Sequence, residues 1–114
     1  MNKIMLDDAE IFPSKVVCIG RNYLDHIKEL NNETPEEMVF FIKPNSAISS
    51  KLVFPKNQKS CHYEAEISFI IKKSQIIGVG FGLDLTLREV QTKLKQKGLP
   101  WERAKAFDGS AVFS

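Results

Sequence analysis

Two glutamates in one strand-like run of this 114-residue sequence have types and spacing that could do chemistry. Glu64 and Glu66 lie in the segment 62–72, HYEAEISFIIK, which alternates and then becomes continuously apolar, as a β-strand does. Residues i and i+2 of a strand point to the same face, so the two Cα atoms are about 7 Å apart. Like charges on one face repel unless a partner, such as a hard divalent cation, compensates them. A solvated strand face is the alternative interpretation of this pair.

Asp84 is the only acid in a long, apolar, glycine-rich strand that runs from Gly78 to Leu85. Burying an aspartate there is costly unless it is paired or bound to a metal, although it could also cap a helix that begins at Leu87. Three carboxylates from two strands suit Mg²⁺ or Mn²⁺ and leave positions for water and a chelating substrate. Zinc is disfavoured because no Cys and His residues cluster at ligand spacing.

His26 and Glu29 form a second candidate pair in the segment 24–30, whose apolar residues recur at helical spacing. Residues i and i+3 of a helix share one face. A carboxylate beside an imidazole orients it and raises its basicity, so the pair could take a proton from water. On spacing alone, an exposed helix pair of small energetic worth is favoured.

Lys105, Arg88 and Gln91 are candidates for binding anions. Lys105 lies in the run RAKAF and could clamp an anion or stabilise an enolate. Arg88 and Gln91, at i and i+3 of the predicted helix after Asp84, could project toward an anionic substrate. The ordinary alternatives are an exposed lysine and the solvent face of a helix.

The elements that must position these residues are mostly short strands. Strands are predicted at 15–20, 38–42, 47–48, 52–54, 62–72 and 76–85, and another begins at 111. Helices are predicted at 24–30 and at 87–97, with Thr86 able to cap the second. The polar stretch 31–37 gives the first helix the composition of a lid, and an ordinary surface loop fits equally well. The pattern predicts an α+β, mostly-β architecture.

Length, composition and charge limit the class of protein to which the chain can belong. With 43% hydrophobic and 26% charged residues, the chain is globular rather than disordered, collagen-like or coiled-coil. The length predicts one domain, 1–114, and its end directly after an apolar run indicates an incomplete domain. Because 16 basic and 14 acidic residues leave a net charge of +2, neither nucleic acid nor a membrane is expected as a partner.

Several sequence signals are missing. No apolar run is long enough to span a bilayer, and the first ten residues lack the apolar core of a signal peptide. Cys18 and Cys61 have no CxxC partner, so the cytoplasm is the expected compartment and a disulfide scaffold is not expected. The glycines at 78, 80 and 82 are out of register with the dinucleotide-binding GxGxxG motif, which disfavours that cofactor.

Taken in order, five segments resemble one enzyme family. They are IGRNYxDHxxE, FxKP, HxEAE, LDLTxREVQ and KGLPWExAKAFD, and they extend from Val16 to Phe107. Their order and length are similar to those of the fumarylacetoacetate hydrolase family, in particular its acylpyruvate hydrolase and oxaloacetate decarboxylase or tautomerase branch. The resemblance implies a mixed β-sandwich roll, usually dimeric, of which this chain carries the N-terminal part.

The resemblance also assigns roles to the candidate residues. It implies that Glu64, Glu66 and Asp84 bind Mg²⁺ or Mn²⁺, that His26 and Glu29 form a water-activating dyad on a lid, and that Lys105 is catalytic. It places Gly20, Arg21, Arg88 and Gln91 near the substrate. A late threonine-proline-glycine loop of the family has no counterpart here, and the segment after Phe107 lacks the family's Cys-Pro.

The function that follows is an expectation with stated alternatives. The leading one is a divalent-metal-dependent hydrolase that cleaves a carbon–carbon bond in small 2,4-diketo acids, of acylpyruvate or fumarylacetoacetate type, through a stabilised enolate. Oxaloacetate decarboxylation or tautomerisation, or isomerisation of a 2-hydroxy-diene-dioate, is the alternative on the same site. An alternative of another class is a non-catalytic binding or assembly module.

Overall fold

The computed structural model describes residues 1–20, 38–56, 58 and 60–114. Eight strands are assigned within them: β1 (Ile4–Leu6), β2 (Ala9–Ile11), β3 (Lys15–Gly20), β4 (Val39–Pro44), β5 (Ile48–Ser49), β6 (Cys61–Lys72), β7 (Gln75–Leu87) and β8 (Ala111–Phe113). Two α-helices, α1 (Arg88–Gln96) and α2 (Glu102–Lys105), and a 3₁₀ turn, Asn45–Ala47, complete the described elements.

The strands form three sheets. β1 and β2 make one antiparallel pair, and β3 and β4 make another. The third sheet has the order β5-β8-β7-β6, with β5 and β8 parallel and the other pairs antiparallel. This mixture of strand pairs with two helices confirms the predicted α+β, mostly-β class.

The hairpin of β6 and β7 is the element that positions the candidate site. Its strands contain 12 and 13 residues, and β-branched and aromatic side chains dominate their apolar stretches. Lys73 and Ser74 join them with φ values of 50° and 63°, as a two-residue hairpin turn requires. The register pairs Glu64 with Asp84. Directly opposite residues share a face, so this register brings the acids of two strands together.

Both helices pack at the carboxyl end of β7. Leu87, Leu94 and Ala104 form a small buried cluster, against which Trp101 and Phe107 pack. The α1 helix buries one side, as its periodicity predicted. Since this cluster fixes α2 against β7, it also fixes Lys105, the last residue of α2, beside the strand that carries Asp84.

Some local predictions were wrong. Residues 52–54 form no strand, and the short strand predicted at 47 begins at Ile48. Neither Thr86 nor Asp84 caps a helix, because both lie inside β7, and the cap residue Leu87 makes no side-chain cap hydrogen bond. The predicted helix at 24–30 and its polar lid loop lie outside the described residues. Within the described part of the chain, no helix is long and apolar enough to cross a membrane.

Candidate active site

Three carboxylates meet on one face of the β6–β7 hairpin. Glu64, Glu66 and Asp84 each offer an oxygen, and these oxygens lie within 4.8 Å of one another. Alternation puts the two glutamates on one face of β6, and the register places Asp84 directly opposite Glu64. The structure therefore brings together the three acids that the sequence singled out as metal ligands.

Asp84 is a buried carboxylate held between two ammonium groups. It is 8% exposed, and its Oδ2 accepts a hydrogen bond from Lys105 Nζ at 2.8 Å. Its Oδ1 forms an ion pair with Lys43 Nζ at 2.8 Å. Each oxygen of this buried carboxylate is therefore compensated by one lysine, and the carboxylate keeps further lone-pair sites.

Lys105 is buried rather than exposed. Its ammonium also donates to Thr86 Oγ1 at 2.7 Å and lies 4.0 Å from Glu64 Oε1. The ring of Phe41 lies 5.0 Å from it. The short helix α2 sets this position, because the Lys105 amide bonds to the Trp101 carbonyl at 3.0 Å. Lys105 thus adds a fixed positive charge to the carboxylate cluster.

Lys43 is a site residue that sequence analysis missed. It lies in β4, is 1% exposed, and donates hydrogen bonds to the backbone carbonyls of Leu85, at 3.3 Å, and of Lys105. Burial lowers the pKa of Lys43, while the neighbouring Asp84 carboxylate opposes that shift. The signal that could have found it is a lysine at the end of the apolar run MVFFIK, where a buried charge needs a partner.

Arg88 and Gln91 face the cluster instead of solvent. Arg88 lies at the start of α1, and one of its guanidinium nitrogens contacts Glu64 Oε1 at 2.6 Å. The other donates to Gln91 Oε1 at 2.7 Å, and Gln91 itself is buried. The three carboxylates are thus matched by the positive charges of Lys43, Lys105 and Arg88, all in direct contact with the cluster.

The remaining predicted site residues are only partly placed. Gly20 ends β3 and pairs with Val39 of β4. Arg21, His26 and Glu29 lie outside the described residues, so their predicted roles stay predictions.

The donor set fits a hard divalent cation. All the candidate ligand atoms are carboxylate oxygens, which Mg²⁺ and Mn²⁺ prefer. A cavity of about 240 Å³ is bordered by Lys105, Phe41 and Trp101, and none of the three carboxylates lines it. The carboxylate cluster itself can hold a metal ion.

Comparisons with known proteins place the chain in one family. Residues 15–114 match the family described as "Fumarylacetoacetate (FAA) hydrolase C-terminal". Oxaloacetate tautomerase YcgM of Escherichia coli (strain K12) is 45% identical over 115 residues, covering 89% of this chain and 52% of that protein. The family and the branch indicated by the motifs are thereby confirmed.

Two solved structures extend the likeness to the fold. A candidate fumarylacetoacetate isomerase/hydrolase from Oleispira antarctica matches with a TM-score of 0.89 and 44% identity, covering 98% of this chain and 57% of that one. A fumarylpyruvate hydrolase from Pseudomonas aeruginosa, in complex with Mn²⁺ and pyruvate, matches with a TM-score of 0.79 and 33% identity, covering 93% and 54%. The chain therefore spans little more than half the length of these proteins.

Proposed function

Because the chain belongs to the fumarylacetoacetate hydrolase family, we propose that its carboxylate cluster is the metal-binding part of an active site for small 2-oxo acids. The observation that carries the proposal is the convergence of Glu64, Glu66 and Asp84 within 4.8 Å. Oxygen ligands of this kind suit Mg²⁺ or Mn²⁺. The solved relative that holds Mn²⁺ and pyruvate supports both the class of metal and the class of substrate.

Keto–enol interconversion of oxaloacetate is the reaction we propose first. It breaks one C–H bond beside the 2-oxo group and forms one O–H bond, so it needs a stabilised enolate and a transferred proton but no attacking water. When bound, the metal supplies a Lewis acid for the substrate's carboxylate and 2-oxo oxygens. The relative that is 45% identical carries the name of this activity.

The chain's own residues contribute charge and orientation in this reaction. Lys105 holds a buried ammonium against Asp84 and Thr86, where it compensates the negative charge that develops on the oxygen of the enolate. A fixed charge acts more strongly in such a site than in water, because the effective dielectric constant is lower. Arg88, which contacts Glu64, binds a carboxylate of the substrate. The family resemblance implies the same role for Gly20 and Arg21.

Hydrolysis of a carbon–carbon bond in an acylpyruvate or fumarylacetoacetate-type acid is the second candidate. The relative named fumarylpyruvate hydrolase favours it. Here His26, oriented by Glu29, takes a proton from a water that attacks the distal carbonyl carbon. The bond from that carbon to its neighbour then breaks, its electron pair forms an enolate, and a proton completes the product. Oxaloacetate decarboxylation shares the enolate, and isomerisation of a 2-hydroxy-diene-dioate is a further alternative on the same site.

One set of assays separates these reactions. The rate of ketonisation of enol oxaloacetate and the hydrolysis of acetylpyruvate are followed by ultraviolet absorbance, with Mg²⁺ or Mn²⁺ and with EDTA. We expect metal-dependent ketonisation that falls by about 100-fold or more in Glu66→Gln, which removes a ligand charge. Glu89→Gln, on the exposed side of α1, is the matched control and keeps the wild-type rate.

The variant His26→Ala discriminates between the two reactions. It keeps ketonisation and loses hydrolysis, because only the second reaction needs an activated water. A chain that binds metal but turns over neither substrate would contradict the enzyme proposal and favour a non-catalytic binding or assembly module.

We further propose that the chain functions as a homodimer.

A further inference from the structure

Lys43 is a buried ionisable residue that the proposed reaction does not use. It comes from β4, a strand that contributes no carboxylate to the cluster. Its ammonium lies 2.8 Å from Asp84 Oδ1 and donates to the backbone carbonyls of Leu85 and Lys105. A single side chain thereby connects β4 to β7 and to the last residue of α2.

The contact between Lys43 and Asp84 leaves the carboxylate able to bind a metal ion. The Lys43 ammonium donates to the two backbone carbonyls and forms an ion pair with Asp84 Oδ1 at 2.8 Å. An ionised carboxylate offers about four lone-pair sites on its two oxygens, so the contacts with Lys43 and Lys105 leave sites for a metal ion. Lys43 therefore offsets the charge of Asp84 while leaving the carboxylate able to bind a metal.

The hydrogen bond from Lys43 to the Lys105 carbonyl also positions Lys105. Lys43 holds the backbone of Lys105, and the hydroxyl of Ser110 bonds to the same carbonyl at 3.0 Å. The side-chain ammonium of Lys105 donates a hydrogen bond to Asp84 Oδ2 at 2.8 Å. Lys43 is thus placed to fix both the carboxylate and the catalytic lysine that contacts it.

We propose that Lys43 is a positioning residue, which holds Asp84 in the orientation that binds the metal and holds Lys105 beside it. This inference rests on the proposed function, since it assigns Lys43 a role toward the same metal site. Groups that orient a metal ligand without touching the metal typically change its affinity by about 10- to 100-fold. A lysine that served only as a charge would act in the opposite direction, because a nearby cation repels the metal.

The sign of the effect on metal affinity tests the proposal. Mn²⁺ binding to the 114-residue chain is measured by isothermal titration calorimetry for the wild type, Lys43→Met, Lys43→Arg and Lys15→Met. We expect Lys43→Met to weaken binding by about 10-fold or more, although it removes a cation from the site. Lys43→Arg, which keeps the charge and the donors, restores most of the affinity. Lys15, exposed on the neighbouring strand β3, is the matched control and binds as the wild type does.

Each of the other outcomes would overturn the positioning role of Lys43 or replace the variant that tests it. Equal or tighter Mn²⁺ binding by a folded Lys43→Met would overturn the positioning role and leave the proposed function intact. A wild-type chain that binds no Mn²⁺ would overturn the proposed function and this role together. If Lys43→Met does not fold, Lys43→Gln, which retains a donor for the carbonyls, takes its place under the same criterion. Failure of both variants to fold would make Lys43 a purely structural residue and overturn the proposal.

Discussion

At the scale of a single residue, the pKa of the Cys18 thiol depends on the buried charge of the site. It lies in β3 opposite Phe41 and takes no part in the proposed chemistry. Burial, and then the negative charge of Asp84, raise the pKa of its thiol from 9.0 to about 11. The folded state therefore keeps this thiol protonated over a range of pH in which the unfolded chain releases the proton.

The stability of the chain is predicted to depend on Cys18 above pH 9. Its contribution is complete below the unfolded pKa of 9.0 and is lost as the pH rises toward the folded pKa of about 11, because the unfolded state binds fewer protons there. Urea unfolding at pH values across this range should show a steeper decline for the wild type than for Cys18→Ala. Parallel declines in the two proteins would contradict the shift.

The residues of the site could be predicted from the sequence only in part. Strand alternation was enough to place Glu64 and Glu66 together, and register then added Asp84. The pairing of Asp84 with Lys43 and Lys105 was not predicted, because the two lysines come from other elements. Those contacts depend on how β4 and α2 pack against β7, and periodicity carries no information on packing between elements.

At the scale of an element, Gly78 and Gly82 of β7 leave room for side chains of other strands. The three glycines of β7 share a face, opposite Ile70, Ser68 and Glu66. A methyl group added at Gly82 would lie 2.7 Å from the Phe113 ring, whereas one added at Gly80 would meet nothing within 4 Å. The glycine pattern that does not fit a nucleotide loop thus provides room for a side chain of β8 beside the carboxylates.

The two substitutions Gly82→Ala and Gly80→Ala form a matched pair in one strand. We expect Gly82→Ala to lower the free energy of unfolding by about 1–3 kcal/mol, because the Phe113 ring must move from its place beside the sheet. Gly80→Ala should change it by less than about 0.5 kcal/mol. Urea unfolding of both variants measures the difference. If the two variants were equally stable, the close approach of Phe113 would not constrain this face.

Elements with strong periodicity were predictable, whereas the short paired strands β1 and β2 were not. The strands β3, β4, β6 and β7 follow runs of β-branched and aromatic residues, and α1 follows its apolar spacing. The helix begins at Arg88 instead of Leu87 because β7 continues through Leu87, and the hydroxyl of Thr86 in that strand accepts a hydrogen bond from Lys105. Thr86 makes a tertiary hydrogen bond instead of capping the helix, and a single sequence does not reveal such a bond.

At the scale of the whole molecule, the face of the β6–β7 hairpin opposite the carboxylates is apolar and open. Cross-strand pairs on this face form what we call the apolar ladder: Ile67 with Phe81, Phe69 with Val79, and Ile71 with Ile76. Each of the six side chains is between 57% and 73% exposed. Monomeric soluble proteins seldom expose contiguous apolar patches beyond a few hundred Å². Periodicity predicted the strands and left open what covers this face.

The proposed homodimer predicts that a second copy covers the apolar ladder. The ladder lies on one face of the β6–β7 hairpin, at one side of its sheet, so two copies related by a two-fold axis can place the same patch against itself. We expect light scattering after size-exclusion chromatography to give a dimer mass for the wild type and a monomer mass for Ile67→Lys and Phe81→Lys, because a buried lysine in the interface lacks a partner. Gln75→Lys adds the same charge at the exposed hairpin end and should remain dimeric. A monomeric wild type, or ladder variants that stay dimeric, would exclude this face as the interface.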